Sequence, residues 1–416
     1  MPHIAVIGAG ITGVTTAYAL LERGYQVTVI DRQRYAAMET SFANGGQLSA
    51  SNAEVWNHWS TVLKGIKWMA RRDAPLLMNP KPTWHKYGWL AEFVSNIVNY
   101  RENTVETTRL AIAAREHLFA IAKRENIDFD HVSRGILHIC WDKPSFKHAL
   151  KVNSMLVEGG LDRRPVTAQE VKSIEPTLHG DFHGGFYTPS DSTGDIHKFT
   201  SGLASACQRR GARFIFDATV ESITHDRSFR IGYVDNRPDI RPRYDLIEAD
   251  GIVVCAGLAS RHFARILGDR VNVYPVKGYS ITVGLDDENS QSAAPWVSLL
   301  DERAKIVTSR LGASRFRVAG TAEFNGMNRD IRHDRVAPLV EWTRALFPGV
   351  DTHRVVPWAG LRPMMPNMMP RIGKGRQPGV FYNTGHGHLG WTLSAVTAQM
   401  VAESVSAEFA IGALAA

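Results

Sequence analysis

Ile4-Ala5-Val6-Ile7-Gly8-Ala9-Gly10-Ile11-Thr12-Gly13 opens the chain, and Val27-Thr28-Val29-Ile30-Asp31 completes the unit that decides the fold. Ile4 to Ile7 is an apolar run that reads as a strand. Gly8, Gly10 and Gly13 follow at G-x-G-x-x-G spacing. Val14 to Arg23 reads as a helix, with Val14, Ala17, Tyr18 and Leu21 along one face, and Gly24 stops it. Val27 to Ile30 is a second strand, closed by Asp31. Each part has a physical task. Gly8 permits a tight turn, Gly10 leaves the backbone open to a pyrophosphate, and Gly13 lets helix and strand pack closely. The helix N-terminus presents unpaired N–H groups and about half a positive charge to phosphates. Asp31 suits ribose hydroxyls and would repel a 2′-phosphate. A glycine turn alone is weak; with a strand before it, a helix after it and an acid at the next strand end, it points to a bound dinucleotide.

The totals bound the rest. At 416 residues the chain can form two domains or one elaborate one. It is 44% hydrophobic and 21% charged, ordinary for a globular protein. Cys140, Cys207 and Cys255 show no metal-ligand spacing, so neither a disulfide scaffold nor a metal site is expected, and a reducing, cytoplasmic compartment is the default. The N-terminus does not read as a signal peptide, and no apolar run is long enough to span a bilayer. The net charge of +7 is not organised into a nucleic-acid-binding module. An anionic membrane surface is the more interesting partner for it.

Along the chain, Glu39 to Gln47 is a small, polar, glycine-bearing loop leaving a strand end, where ligands of doubly wound sheets sit. Residues 51–130 read as mostly helical. Val62, Ile66 and Met69 share a face near Lys64, Lys67, Arg71 and Arg72, and Trp84 to Tyr100 is a second amphipathic stretch. These segments read either as helices on the protein's own core or as a basic, aromatic face resting peripherally on a membrane. Thr104 to Arg124, Phe146 to Gly159, Phe199 to Arg210 and Val336 to Phe347 read as helices, and Thr167 to Glu170 as a capping pattern. Arg237 to Pro242 reads as a turn-rich loop and Gly251 to Gly257 as a buried strand into a turn, with Cys255 inert in its core. Val273 to Val283 reads as a strand pair around Lys277-Gly278. Lys305 to Ser309 and Arg315 to Gly320 read as a hairpin, and Trp358 to Gly375 as loop. Val380 to Asn383 is a strand, and Thr392 to Ser406 the last helix.

These motifs together resemble the FAD-dependent D-amino acid dehydrogenases of the D-amino acid oxidase and glycine oxidase superfamily. The carriers are Gly8-x-Gly10-x-x-Gly13, Val29 to Gln33, Glu39 to Asn44, Tyr274 to Ser280, Gly360-Leu361-Arg362-Pro363-Met364 and Asn383 to Thr392. The resemblance implies an α/β fold: a Rossmann-like FAD-binding domain with a parallel sheet, and an inserted α+β substrate domain with a large antiparallel sheet. The FAD domain would comprise 1–50, 190–270 and 355–416, and the substrate domain 51–189 and 271–354.

It also implies roles. Gly8, Gly10, Ile11, Thr12, Gly13, Asp31 and Arg32 would hold the adenine and ribose side, with Val220 against adenine. Thr40, Ser41, Asn44, Gly45, Gly46 and Gln47 would line the isoalloxazine. Ala256, Gly257 and Gly360 would add contacts. The turn Gly385, His386, Gly387, His388, Leu389 and Gly390, with Trp391 and Thr392, would cap the pyrimidine end, where helix-terminal N–H groups stabilise negative charge on reduced flavin. Arg362 matches the position that binds the substrate carboxylate, which a guanidinium grips with two parallel hydrogen bonds; the bland alternative is a structural salt bridge. Tyr279 is a second pocket residue. His386 is weighed as a base against a structural role in its turn. Pro366-Asn367-Met368-Met369-Pro370 departs from the family's usual Pro-Asp-Gly, which leaves substrate identity open. No cysteine lies between Trp358 and Trp391, so the expected FAD is non-covalent.

The expected reaction is oxidative deamination of a D-amino acid to a 2-oxo acid and ammonia. Hydride would pass to flavin N5 and electrons to a quinone. Alternatives are the same chemistry on a cyclic or N-substituted amino acid such as cis-4-hydroxy-D-proline, an oxidase using oxygen, an NAD-linked dehydrogenase, or a non-enzymatic flavin-binding module.

Overall fold

The structure is a computed structural model describing residues 1–68, 76–239 and 241–415, with all their side chains except those at 64, 66–68 and 411–415. The opening unit folds as strand His3–Ile7, helix Ile11–Glu22 and parallel strand Gln26–Ile30. The glycine spacing is a packing requirement. Gly8 has φ +109°, and a Cβ on Gly13 would lie 1.8 Å from the Gly8 carbonyl oxygen. Any side chain at Gly13 would push the helix off the strand.

This unit seeds a six-stranded sheet. In spatial order it runs Arg371–Lys374, Val380–Thr384, Gly251–Val254, His3–Ile7, Gln26–Ile30, Arg213–Ile215. All neighbours are parallel except Arg371–Lys374 against Val380–Thr384. The strands are apolar on both sides because both faces are covered. Helices Ile11–Glu22, Ile196–Arg209 and Gly390–Ala415 cover one face around Val14, Leu20, Phe199 and Val401. An antiparallel ladder of Ala218–His225, Phe229–Asp235 and Arg243–Ala249 covers the other, with Phe229 and Ile231 packed on Ile252 and Val254.

The second layer is a nine-stranded, mostly antiparallel sheet. Its main path is Val355–Met364, Tyr274–Gly284, Arg315–Phe324, Ile306–Leu311, Ser298–Asp301, Ile136–Cys140, Gly184–Thr188, Arg164–Thr167, and Leu76–Met78 also pairs with Arg315–Phe324. The expected hairpin is present, and Thr167 and Glu170 form a reciprocal capping box. Two expectations are corrected. Val273 to Val283 is one strand, Tyr274–Gly284, not a pair, and its register to Arg315–Phe324 shifts between Lys277 and Tyr279. The single Gly278 stands against two residues, Thr321 (φ +60°) and Ala322, so the extra residue of this bulge is on Arg315–Phe324, while Lys277-Gly278 is continuous strand whose glycine resembles a turn in sequence. The stretch from Trp358 to Gly375 is not loop, since Val355–Met364 and Arg371–Lys374 are strands. Val355–Met364 is the sheet edge, where the missing N–H groups of Pro357 and Pro363 cost no interior ladder bond.

Helices Trp59–Trp68, Trp84–Ser95 and Tyr100–Arg124 follow the first layer. The expected basic face is only partly described: Met69, Arg71 and Arg72, and the side chains of Lys64, Ile66 and Lys67, lie outside the described residues, as does residue 240 of the 237–242 loop.

Candidate functional site

A cavity of about 1310 Å³ lies between the two sheets. It begins at Asp31 and Val220, passes Gly10 and the Thr40–Gln47 loop, and reaches Arg362 and the turn at Gly385 to Thr392. Of the residues expected at the site, all but Gly13 line this cavity. Gly13 is buried against Gly8 and acts through packing. Tyr279 borders the cavity, but its hydroxyl donates to Glu323 Oε2 at 2.7 Å. Gly8, Ile11, Thr12, Arg32, Ala256, Gly257 and Gly360 all line the cavity.

The cradle is set by backbone. Gly10, the N-cap of helix Ile11–Glu22, brings no capping side chain; Ser41 Oγ accepts from Ile11 N at 3.0 Å and lies 3.5 Å from where a Cβ on Gly10 would be. Beyond the Ile11 N–H, the helix terminus has no side-chain acceptor among the described residues and is open to an anion. Asp31 accepts from Ala9 N at 2.6 Å and Gln33 N at 2.8 Å, so it braces the turn it faces. Burial nevertheless raises its pKa, which further donors such as ribose hydroxyls would offset. Arg32 is held by Glu39 at 2.7 Å, and Glu39 is also bound by Arg329.

The Thr40–Gln47 loop is fastened to the large sheet. Ser280 Oγ donates to Ala43 O at 2.7 Å, Ser309 Oγ to Gly45 O at 2.6 Å, and Arg317 Nη1 to Asn44 O at 3.1 Å. These anchors escaped the sequence reading. Their signal was small polar residues alternating along strands whose face toward the cavity had not been assigned. At the far end, positive φ at Gly385 (+77°) and Gly387 (+59°) folds the turn that feeds helix Gly390–Ala415.

His386 is buried in that turn with Nε2 3.0 Å from Thr397 Oγ1, and burial pushes its pKa down to about 3. A ring so reluctant to take a proton is a poor base at neutral pH. His388 stacks on Trp56 with ring centroids 5.0 Å apart, lies 3.1 Å from Asn52 O, and is pushed down to about 4 by burial, with Arg362 adding to the shift.

Arg362 is the chemical focus. Its Nη1 donates to Thr321 O at 3.2 Å, and no carboxylate among the described residues pairs with it. Burial alone pushes its pKa down to about 10, so it remains charged at neutral pH. Its guanidinium lies across Gly278, where a Cβ would come within 2.3 Å of Nη2. Trp358 lies across Gly360 in the same way, its ring 2.1 Å from where a Cβ would be. The glycines at 278 and 360, directly opposite in register, leave the space these two side chains occupy. A desolvated, charged fork without a counter-ion is a binding element for a planar anion such as a carboxylate.

A family model described as FAD dependent oxidoreductase (DAO) matches residues 3–404. The chain is 71% identical over 413 residues to D-amino acid dehydrogenase 3 of Mesorhizobium japonicum, covering 99% of each chain. It is 40% identical over 410 residues to D-amino acid dehydrogenase of Dechloromonas aromatica, covering 97% of each. The fold is shared with glycine oxidase from Geobacillus kaustophilus at a TM-score of 0.74 and 18% identity, covering 98% of this chain and 96% of that one.

Proposed function

Since the chain belongs to the DAO family of FAD-dependent oxidoreductases, we propose that it oxidises D-amino acids to 2-oxo acids and ammonia, with Arg362 holding the substrate carboxylate. The open helix terminus at Gly10, the glycine turn and the long cavity fit a dinucleotide cofactor. When bound, FAD supplies the acceptor for the α-hydrogen and its electron pair. Gly8 to Arg32 would take its nucleotide side, with Val220, Ala256 and Gly257. The Thr40–Gln47 loop and the Gly385–Thr392 turn would take its ring. In domain terms, 1–50, 190–270 and 355–416 are assigned to the cofactor and 51–189 and 271–354 to the substrate. Binding is assigned as non-covalent: Cys255, the cysteine that borders the cavity, has its thiol pushed up to about 12 by burial.

The chain's own work is binding and orientation. Arg362 fixes the carboxylate by two parallel hydrogen bonds, and that fixes the Cα beside it. No side chain is required as base if the amine binds neutral, which fits the depressed pKa values of His386 and His388. The imino acid then hydrolyses.

Electrons are assigned to a quinone acceptor. Trp59, Leu63, Trp84 and Tyr87 are exposed apolar side chains on the helical segment, which suits a peripheral membrane contact. No helix among the described residues is long and apolar enough to cross a membrane. The observation that carries the proposal is the charged, counter-ion-free Arg362 inside the cavity. The test is anaerobic mixing of the yellow holoenzyme with a panel of D- and L-amino acids and cis-4-hydroxy-D-proline. Bleaching by D-amino acids and not by their L-enantiomers is expected. Bleaching by the cyclic substrate alone would move the assignment to the imino-acid alternative.

A further inference from the structure

The cavity has two arms beyond Arg362, of opposite character. One is polar and holds His138, Arg163, Glu302 and Lys305. The other is apolar, lined by Val62, Leu76, Met78, Trp89, Phe93 and Phe324. Which arm an anchored amino acid can use is decided by distance. The Arg362 guanidinium lies over Gly278 and bonds Thr321, on the strands Tyr274–Gly284 and Arg315–Phe324. His138 is three strands farther across the sheet, on Ile136–Cys140. At about 4.8 Å per strand that is roughly 14 Å, beyond the roughly 7 Å a long side chain spans.

The apolar arm starts next door. Ala322 follows Thr321 and stands opposite Leu76 in register, and Phe324 stands opposite Met78. Helix Trp84–Ser95 roofs this arm. Trp89 Nε1 donates to Met364 O at 2.9 Å, and Asn57 Nδ2 donates to Phe93 O and Pro366 O at 2.8 and 2.9 Å. These bonds tie the roof to the strand that carries Arg362. Trp89 packs on Phe93 and Phe324 with ring centroids 5.3 and 5.7 Å apart. The indole N–H of Trp89 is thus spent on a carbonyl, and Glu54, the carboxylate beside Val55 on this side of the cavity, already accepts from Tyr100 Oη at 2.6 Å. An ionised side chain entering it would lose its hydration without a partner.

We infer that this arm receives the substrate's side chain, so that the preferred substrates are D-amino acids with large apolar side chains. The inference rests on the assignment of Arg362 as carboxylate anchor. It puts specificity in Ala322, Leu76, Phe93 and their neighbours, residues with no part in the bond changes themselves.

The test is a titration of the holoenzyme with unreactive carboxylates of growing length, acetate to butyrate to hexanoate, read by perturbation of the flavin absorbance. Binding is expected to tighten about fourfold per added methylene. A series flat in chain length would overturn the inference. Titrating Arg362→Ala separates the two claims. Binding that still depends on Arg362 but is flat in length defeats only the arm, whereas binding indifferent to Arg362 defeats the anchor.

Two variants check the residues. Ala322→Phe should lower the ratio of flavin-reduction efficiency on D-leucine to that on D-alanine about tenfold or more. Leu90 lines the same arm on helix Trp84–Ser95, so Leu90→Ala enlarges it and should raise the ratio of D-phenylalanine to D-leucine. An unchanged ratio in both, with slowed reoxidation of the reduced enzyme by a quinone, would make the arm an acceptor site and overturn the inference.

Discussion

Lys277, buried, and Arg362, half-buried in the cavity wall, are two cations on adjacent strands of one sheet, with Lys277 standing opposite Leu361. Strand alternation sends them to opposite faces. Lys277 is saturated: Glu323 at 3.2 Å, Asn328 Oδ1 at 2.7 Å and Asp330 O at 3.1 Å. Arg362 has a single backbone carbonyl. The sheet thus carries a finished charge on one face and an unfinished one on the other. A saturated ion holds structure together; one kept without its counter-ion costs stability and is positioned to take a ligand.

Breaking each side of this pairing should give different phenotypes. The largest effect is expected for Arg362→Ala, with kcat/KM on D-amino acids down about thousandfold, the loss associated with removing one partner of a desolvated charge pair. Its melting temperature should not fall, because no intramolecular ion pair is lost. Glu323→Ala should do the reverse. It strands Lys277 as an uncompensated buried charge and should cost about 3–4 kcal/mol of stability, read as a lower denaturant midpoint. Burial depresses the folded-state pKa of His386 to about 3, below its ordinary 6.5. The unfolded chain therefore binds the extra proton between those values, and stability present above pH 6.5 is lost as pH falls toward 3. His386→Asn should flatten that acid limb of a stability-against-pH curve by about 3 kcal/mol at pH 4.5. Gly278→Ala puts a methyl where the Arg362 guanidinium lies, and a flexible side chain can move aside. KM should rise about tenfold with little change in stability, an effect on anchoring without an effect on folding. The smallest change is expected for Tyr279→Phe. It removes one hydrogen bond to Glu323, should cost about 1 kcal/mol of stability, and should move kcat/KM less than threefold.

The same two faces explain what could be read from sequence. The Gly8 to Asp31 unit was legible because its strand, turn, helix and acid are contiguous, and each glycine has a local reason. Arg362 was legible through the motif around it. The setting of Arg362 was not. It depends on Gly278, far away in sequence and turn-like in a one-dimensional pattern, and on a bulge at Thr321 and Ala322 of the next strand. The prolines of Val355–Met364 suggested loop because pattern alone does not reveal which strand is an edge. Tyr279 matched a pocket position and borders the cavity, but the partner of its hydroxyl, Glu323, lies on a neighbouring strand and follows from register alone. The Ser280, Ser309 and Arg317 anchors of the cofactor loop likewise exist only once the two layers meet.

The most direct measurement is the dissociation constant of butyrate for the flavin-loaded protein, compared between the unaltered chain and Arg362→Ala at the same pH and ionic strength. Weakening by about a hundredfold or more is predicted, since the Arg362 guanidinium lines the cavity without a counter-ion of its own among the described residues. Equal affinities in the two proteins would contradict the account.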